Sequence, residues 1–523
     1  MQENKSKLFR QRLFRMHIAL GILISSFMYI AIFFGVFTVY LPYVKTWEKA
    51  SRLIEQVDIT KVDYNSMINT VLENQDFPRD NIIVSLPGNM GDPAVVISHI
   101  FANEHAFNPI TNEKLNNETK EQSNLANFIN ELHYGAPLKI IGMIFFGFVA
   151  LATLILIITG LIMVLIINFK NKGKTQQSMF SKVHVKIFSW IFLPLFLITL
   201  TSAFMNIGLI SSSPMIQILS KGETKVIDVF VGSILFPQNK PIARANEAAP
   251  MKAVNDLILI AQKINPQLTF KQIRLMNWND KNAQVEMIAY NPYKPFLNGG
   301  IFNRPLIILS AVSGKLIKQQ KVMDKKLPVF VAEALFFLHF LFGLDIISRT
   351  IIAVLMALCA VGIGFGTMLY LEKKAKKFQD KVVFYHWIGK FSLASMIGII
   401  PATASLFVLQ WLLPFDLADR VLWQKGIFYN VWLFTLFYSF YKVNSYEVAK
   451  NFFFVGGVLF ILSVCSHIYF IDITLNELLN LTSTLSIDIV LTLLGIAFIY
   501  ISKKLPKNRT EAKLFWSNTK GDK

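Results

Sequence analysis

Charged residues are few. Asp, Glu, Lys and Arg make up 16% of the 523 residues, against 53% for the hydrophobic set. Mean hydropathy is +0.46. That balance argues against a soluble enzyme and for a polytopic membrane protein. Acidic residues are the scarcer sign, 33 against 52 basic ones, and the middles of the long apolar runs lack them. A proton relay or an ion-coupled permease needs carboxylates at that depth, so both are disfavoured. Cysteine is limited to Cys359 and Cys465, each inside an apolar run, and no CxxC occurs. An iron–sulfur cluster or a redox dithiol therefore has no ligand set. No GxGxxG follows a strand, so no flavin or NAD domain is expected. No cleavable leader is expected either, because the first apolar run is too long and lacks a small-residue cleavage site.

The formal net charge is +19. Its distribution speaks against nucleic acid as a partner. Lys and Arg cluster in short segments between apolar runs, which is the positive-inside pattern of a protein in a lipid bilayer.

The organising stretch is Leu132 to Met205. Two apolar runs there exceed the ~20 residues a helix needs to cross a bilayer. Each is preceded by a histidine, His133 and His184, and a basic loop joins them. The runs must be antiparallel, so the two histidines sit at opposite faces. Extended along the chain, this reading puts a cytoplasmic N-terminus at 1–16 and the first span at 17–42. An extracytoplasmic segment of helix and strands covers 43–131, and the second span 132–169. A cytoplasmic loop at 170–183 leads to the third span, 184–210. A second helix-plus-strand segment fills 211–330, the fourth span 331–371 and a basic loop 372–384. Four further spans lie within 385–503, at about 386–413, 421–441, 451–470 and 484–502, before a cytoplasmic tail at 504–523. The expected fold is a polytopic α-helical membrane protein of about eight transmembrane helices, with two small α+β domains outside. Pro42, Tyr43 and Trp47 are expected in an interfacial aromatic belt. The fourth helix is expected to run unbroken from near Glu333 to Tyr370, with Asp345 and Arg349 at ion-pair spacing.

Of eight histidines, His99 and His105 read as surface or turn residues. His17 and His184 open spans one and three on the cytoplasmic side, while His133 and His339 precede spans two and four on the other. His386 opens span five, and His467 lies near the outer end of span seven. Two pairs at opposite faces suit bis-imidazole ligation of two haems b, each iron held by one pair. Gly21 and Gly343, four residues after His17 and His339, leave room for a macrocycle. His386, with Gly389 three residues on, competes with His184 for the cytoplasmic pair. The bland reading is that each histidine anchors or hydrogen-bonds at an interface. Zinc is a weaker rival, since it wants three or four converging ligands.

The segments FRQRLFRMHIALGI, NFINELHYGAPLKIIGMIFFGF, KVHVKIFSWIFLPLFLITLTSAF and FFLHFLFGLDIISRTIIAVLMALCAVGIGFGTMLY together resemble the PepSY-associated transmembrane proteins of bacterial inner membranes. AVNDLILIAQKINP and LSAVSGKLI are similar to the helix and closing hairpin of PepSY domains, and the last four spans to the extension of longer members. The resemblance implies a haem-containing membrane reductase that releases iron from ferric siderophores. It assigns the axial positions to His17, His184, His133 and His339, and leaves the donor as a quinol or a cytoplasmic reductase. Two departures stand out: VHVK, where a basic residue often follows the histidine directly, and GVFTVY, where Thr-Gly usually ends span one. The rival from another class is a haem-free scaffold whose outer domains bind or regulate a transporter or protease.

Overall fold

The computed structural model describes residues 2–99, 101–115, 123–166, 175–222, 242–292, 305–320, 327–341, 344–377, 382–471 and 474–516. The first helix, α1 (Gln2–Thr38), has 37 residues. At about 1.5 Å per residue it outreaches a ~30 Å hydrocarbon core, so its basic first turns project beyond. A short α2 (Leu41–Trp47) starts on Pro42, where a missing N–H costs nothing. Then come α3 (Tyr64–Leu72) and strands β1 (Asn81–Ser85), β2 (Val95–His99) and β3 (Ala102–Phe107). Next, α4 (Leu125–Tyr134) stops at Gly135, whose φ of 82° is left-handed and whose Cβ would strike Phe146 at 2.5 Å. It is followed by α5 (Lys139–Ile166), α6 (Gln176–Trp190), α7 (Phe192–Ala203), a π turn (Phe204–Gly208) and α8 (Leu209–Leu219). The second outer segment supplies α9 (Val254–Ile264), β4 (Thr269–Met276), β5 (Gln284–Tyr290), β6 (Leu306–Ser310) and β7 (Leu316–Gln320). The rest is helical: α10 (Leu327–Phe340), α11 (Ile346–Lys377), α12 (Val382–Met396), α13 (Ile399–Leu412), α14 (Arg420–Tyr441), α15 (Ser445–Ile471), α16 (Leu475–Asn480), α17 (Thr482–Lys504) and α18 (Arg509–Trp516).

Among the described residues, six helical segments are long and apolar enough to cross a bilayer: Lys7–Thr38, Ala136–Ile166, Ile346–Ala375, His386–Leu412, Ser445–Ile471 and Thr482–Lys504. The α6–α7 pair makes a seventh, bent by 72°. The chain is thus a polytopic membrane protein. The third span was expected unbroken, but it breaks at Ile191 because Pro194 cannot donate to the Trp190 carbonyl and its ring crowds it. The expected sixth span is a single helix, α14, in which Gln424, Lys425 and Asn430 keep hydropathy below that of the six.

The fourth helix is also broken, between α10 and α11, where Leu341 takes a φ of 57°. Its free carbonyls explain Arg349. Rather than pairing with Asp345, the buried guanidinium donates to Leu341 O at 2.8 Å, Leu344 O at 3.1 Å and Val39 O at 2.5 Å. Asp345 instead accepts the Ser348 amide at 2.7 Å.

Outside the bundle the two helix-and-strand segments do not form separate domains. They share one antiparallel sheet in the order β3-β2-β1-β4-β5-β6-β7. The seam is β1 on β4, with Val84 opposite Ile273 and Ile82 opposite Leu275. These side chains alternate inward, and α3 and α9 cover them with Met67, Ile68, Leu257, Ile258 and Ala261 in one core. The two helices are tied together. Asn65 accepts the Val254 amide at 2.9 Å, and Asn255 donates to Thr60 O and Val62 O. His99, expected at the surface, is buried at a strand end, 3.2 Å from Asp80.

The helices from α12 to α17 grip α2 and α4. Trp47 is not in a lipid belt but buried, and its indole donates to Asp488 Oδ1 at 2.8 Å. His467 Nδ1 donates to the same carboxylate at 2.9 Å. The imidazole lies between Trp47 and Trp411, with centroids 4.9 and 4.6 Å away. Next to Trp47, Glu48 accepts the Ala126 amide at the start of α4 at 2.9 Å. Burial pushes its carboxyl above the ordinary range, against the pull of that amide. Gln410 donates to Glu48 O at 2.6 Å and accepts from Ser123 and Gln424. Lys425 reaches Glu131 at 3.3 Å, two residues before His133. His467 and Asp488 thus form an ionisable pair across two helix ends of these spans.

Two measurements check this packing. A double variant, Ile83→Cys with Arg274→Cys, joins residues directly opposite across the seam. Paired Cα atoms there lie about 4.5–5.5 Å apart, within disulfide range, so an intrachain disulfide should form under oxidising conditions and run fast on a non-reducing gel. Two independent domains would give none. Asp488→Ala leaves two buried donors without an acceptor, at roughly 1–3 kcal/mol each. Its thermal midpoint in detergent should drop, and Trp47→Phe should cost much less in that background than alone.

Candidate functional site

Two histidine pairs meet at two levels of α1, one at its middle and one toward its C-terminal end. His17 on α1 meets His184 on α6, with ring centroids 6.4 Å apart and planes at 78°. His133 on α4 meets His339 on α10, with centroids 6.2 Å apart and planes at 35°. The second pair is referenced to the same helix, because Ala31 O takes a hydrogen bond from His133 Nδ1 at 2.7 Å. Ala31 lies about 21 Å along α1 from His17. The four residues singled out in the sequence are thus brought together two by two. His386 is exposed at the start of α12, and it is His184 that stands against His17.

Hydrogen bonding settles which ring nitrogen carries the proton. His133 and His184 place Nδ1 against carbonyls, Ala31 O and Gly362 O, the latter at 2.9 Å. A carbonyl only accepts, so Nδ1 holds the hydrogen in both. His17 Nδ1 meets Thr159 Oγ1 at 3.0 Å, and that hydroxyl already donates to Leu156 O at 3.1 Å. His339 Nδ1 meets Thr201 Oγ1 at 3.0 Å, and this hydroxyl donates to Ile198 O at 2.8 Å. With each hydroxyl hydrogen on its carbonyl, the threonine oxygens accept from the rings. In that arrangement all four rings are Nδ1–H tautomers whose Nε2 lone pairs are left for another partner. A hydrogen bond from the other ring nitrogen orients metal-bound histidine in the same way.

Close approach of neighbouring helices seats the rings. A Cβ at Gly366 would lie 2.9 Å from His184 Cε1 and Nδ1, and one at Gly35 3.1 Å from His133 Cε1. One at Gly160 would lie 3.4 Å from His17 Cε1. The glycines that matter here sit on the opposing helix, not one turn along the histidine's own. A Cβ at Gly21 would make ordinary contact with Leu156 at 3.8 Å and touch no histidine, and Gly343 falls outside the described residues. Sequence spacing pointed to neither the threonines nor Gly366, because each lies on a different helix from its histidine.

Two imidazoles on one metal ion, with bonds of about 2 Å, put their ring centroids about 6 Å apart. Both pairs have that separation. Among the described residues no group of three or more His, Cys, Asp or Glu converges on a metal position. Two facing imidazoles without further protein ligands would suit a metal whose other positions a planar macrocycle fills. His99 and His105 belong to the outer sheet and take no part.

No curated protein matches the chain. The family described as the PepSY-associated TM region matches residues 14–373, well over half of it and inclusive of all four paired histidines. The chain belongs to the PepSY-associated transmembrane family.

Proposed function

We propose that the chain is a haem-b-containing reductase of a bacterial inner membrane that passes electrons outward to a ferric siderophore. The observation behind this reading is the two histidine pairs, with Nε2 atoms not engaged by the Nδ1 hydrogen bonds, at two levels about 21 Å apart along α1. His17 and His184 would hold one haem and His133 and His339 the other, where haem supplies one-electron carriage between Fe(III) and Fe(II). Thr159, Thr201, Gly362 and Ala31 fix each ring's tautomer and raise its basicity as a ligand. The helices around each pair exclude water, and the sheet stands on the His133–His339 side to receive the chelate. Iron leaves its hard oxygen donors more readily once its charge falls from three to two. We read α6–α7 and α14 as spans also, which makes eight with both termini cytoplasmic. The donor is then a separate quinol or cytoplasmic reductase on the His17–His184 side.

A reduced-minus-oxidised spectrum with a pyridine haemochrome assay tests the reading. The expected result is a low-spin b-type spectrum and near two haems per chain. His133→Ala and His184→Ala should each bring this close to one. Protein made with ample haem supply yet lacking the spectrum would refute the assignment. Gly366→Ala, which forces His184 to shift, should selectively disturb the same haem that His184→Ala removes. With substrate, a gallium(III) siderophore should bind without releasing its metal; release from gallium would rule out a reductive mechanism.

A further inference from the structure

A crevice of about 1060 Å³ opens between α1, α11 and α12, along the stretch of α1 from Phe14 to Phe27. It lies at the top of the usual range for ligand sites, about 300–1,000 Å³. Its walls are apolar, with Ile18 and Ile22 of α1 facing Trp387 and Phe391 of α12. It opens sideways as well as at its end, since Leu23 is 71% and Trp387 59% exposed. At the mouth stand Arg15, Lys373 and Lys374, and among the described residues no carboxylate lines the site. The two lysines are held at the rim: Lys373 Nζ is 4.8 Å above the Phe14 ring and Lys374 Nζ 5.7 Å above the Tyr370 ring. Nearby cations serve differently. Arg509 pairs with Glu372 at 3.3 Å, and buried Lys390 donates to the Lys442 and Val443 carbonyls.

The geometry points to a bound anionic phospholipid, its acyl chains between α1 and α12 and its phosphate at Arg15, Lys373 and Lys374. Both halves of the site are used by such a molecule. A neutral quinol gains from the walls but nothing from three cations. A soluble anion gains from the cations but leaves the apolar walls wet. Basic pockets between membrane helices on the cytoplasmic side select anionic headgroups for this reason, each Lys or Arg contributing roughly fivefold. The lipid fills the gap between the helix bearing His17 and the first of the last four long helices, so it joins two parts of the bundle. The assignment stands apart from the haem reading.

The full chain, purified in mild detergent, is extracted and its lipids identified by mass spectrometry. Retention of close to one phosphatidylglycerol or other anionic glycerophospholipid per chain, with zwitterionic lipid washed away, is the expected result. The triple variant Arg15→Gln, Lys373→Gln, Lys374→Gln should weaken retention on the order of a hundredfold. Ala19→Trp keeps every charge, fills the crevice from α1 and should displace the lipid, so the proposal stays testable if the triple variant fails to fold. Equal retention of phosphatidylcholine, unchanged retention in Ala19→Trp, or recovery of a quinone in place of phospholipid would each overturn it.

Discussion

A polar atom inside a bilayer has to find its partner within the protein, because hydrocarbon offers none. The paired histidines meet that constraint at Nδ1 alone. Each Nδ1–H is taken by a carbonyl or by a threonine oxygen whose own hydrogen goes elsewhere, and the neighbouring turn is close enough that Gly366 and Gly35 admit no side chain without a shift. The consequence is functional. A ring with both nitrogens engaged could not ligate a metal, and a ring with neither would rotate. One fixed hydrogen bond per ring leaves one aimed lone pair.

The same constraint governs the helix breaks. Every break frees carbonyls, and in three places a buried cation takes them. Arg349 serves the gap between α10 and α11, Lys390 the end of α14, and Arg420 the end of α13 through the carbonyls of Gln410 and Leu413. Cations suit helix C-termini for electrostatic reasons as well. A reader of the sequence sees Asp345 and Arg349 four apart and expects a surface pair. The guanidinium has more to gain from three carbonyls at helix ends than from one exposed carboxylate.

What was legible followed from local pattern. Apolar runs announced the spans, and alternation of direction along the chain put His17 with His184 and His133 with His339. Pro194 also carried a readable signal for the bend at Ile191, though a run of apolar residues masks it. Partner choice across long separations was not legible. Nothing in NIIVSL says that it pairs with TFKQIRLM some 190 residues later, so two small domains were expected where one sheet exists. Trp47, His467 and Asp488 each look like interface residues alone, and only their meeting makes a buried cluster.

That cluster bears on the last four long helices, which lie beyond the matched region 14–373. Their polar contacts are concentrated on α2 and α4, at Trp47, Glu48, Ser123 and Glu131. α4 carries His133 and is stapled to them at both ends. At the opposite face the chain returns through α18, where Trp516 packs on Phe180 and Phe365 and Arg509 pairs with Glu372. These helices therefore brace both histidine pairs from outside, through α4 at one face and through α6 and α11 at the other. Bracing of this kind matters most for a site made by four separate helices, because the 6.4 and 6.2 Å separations would suit one shared metal only while each ring is held to within a fraction of an ångström.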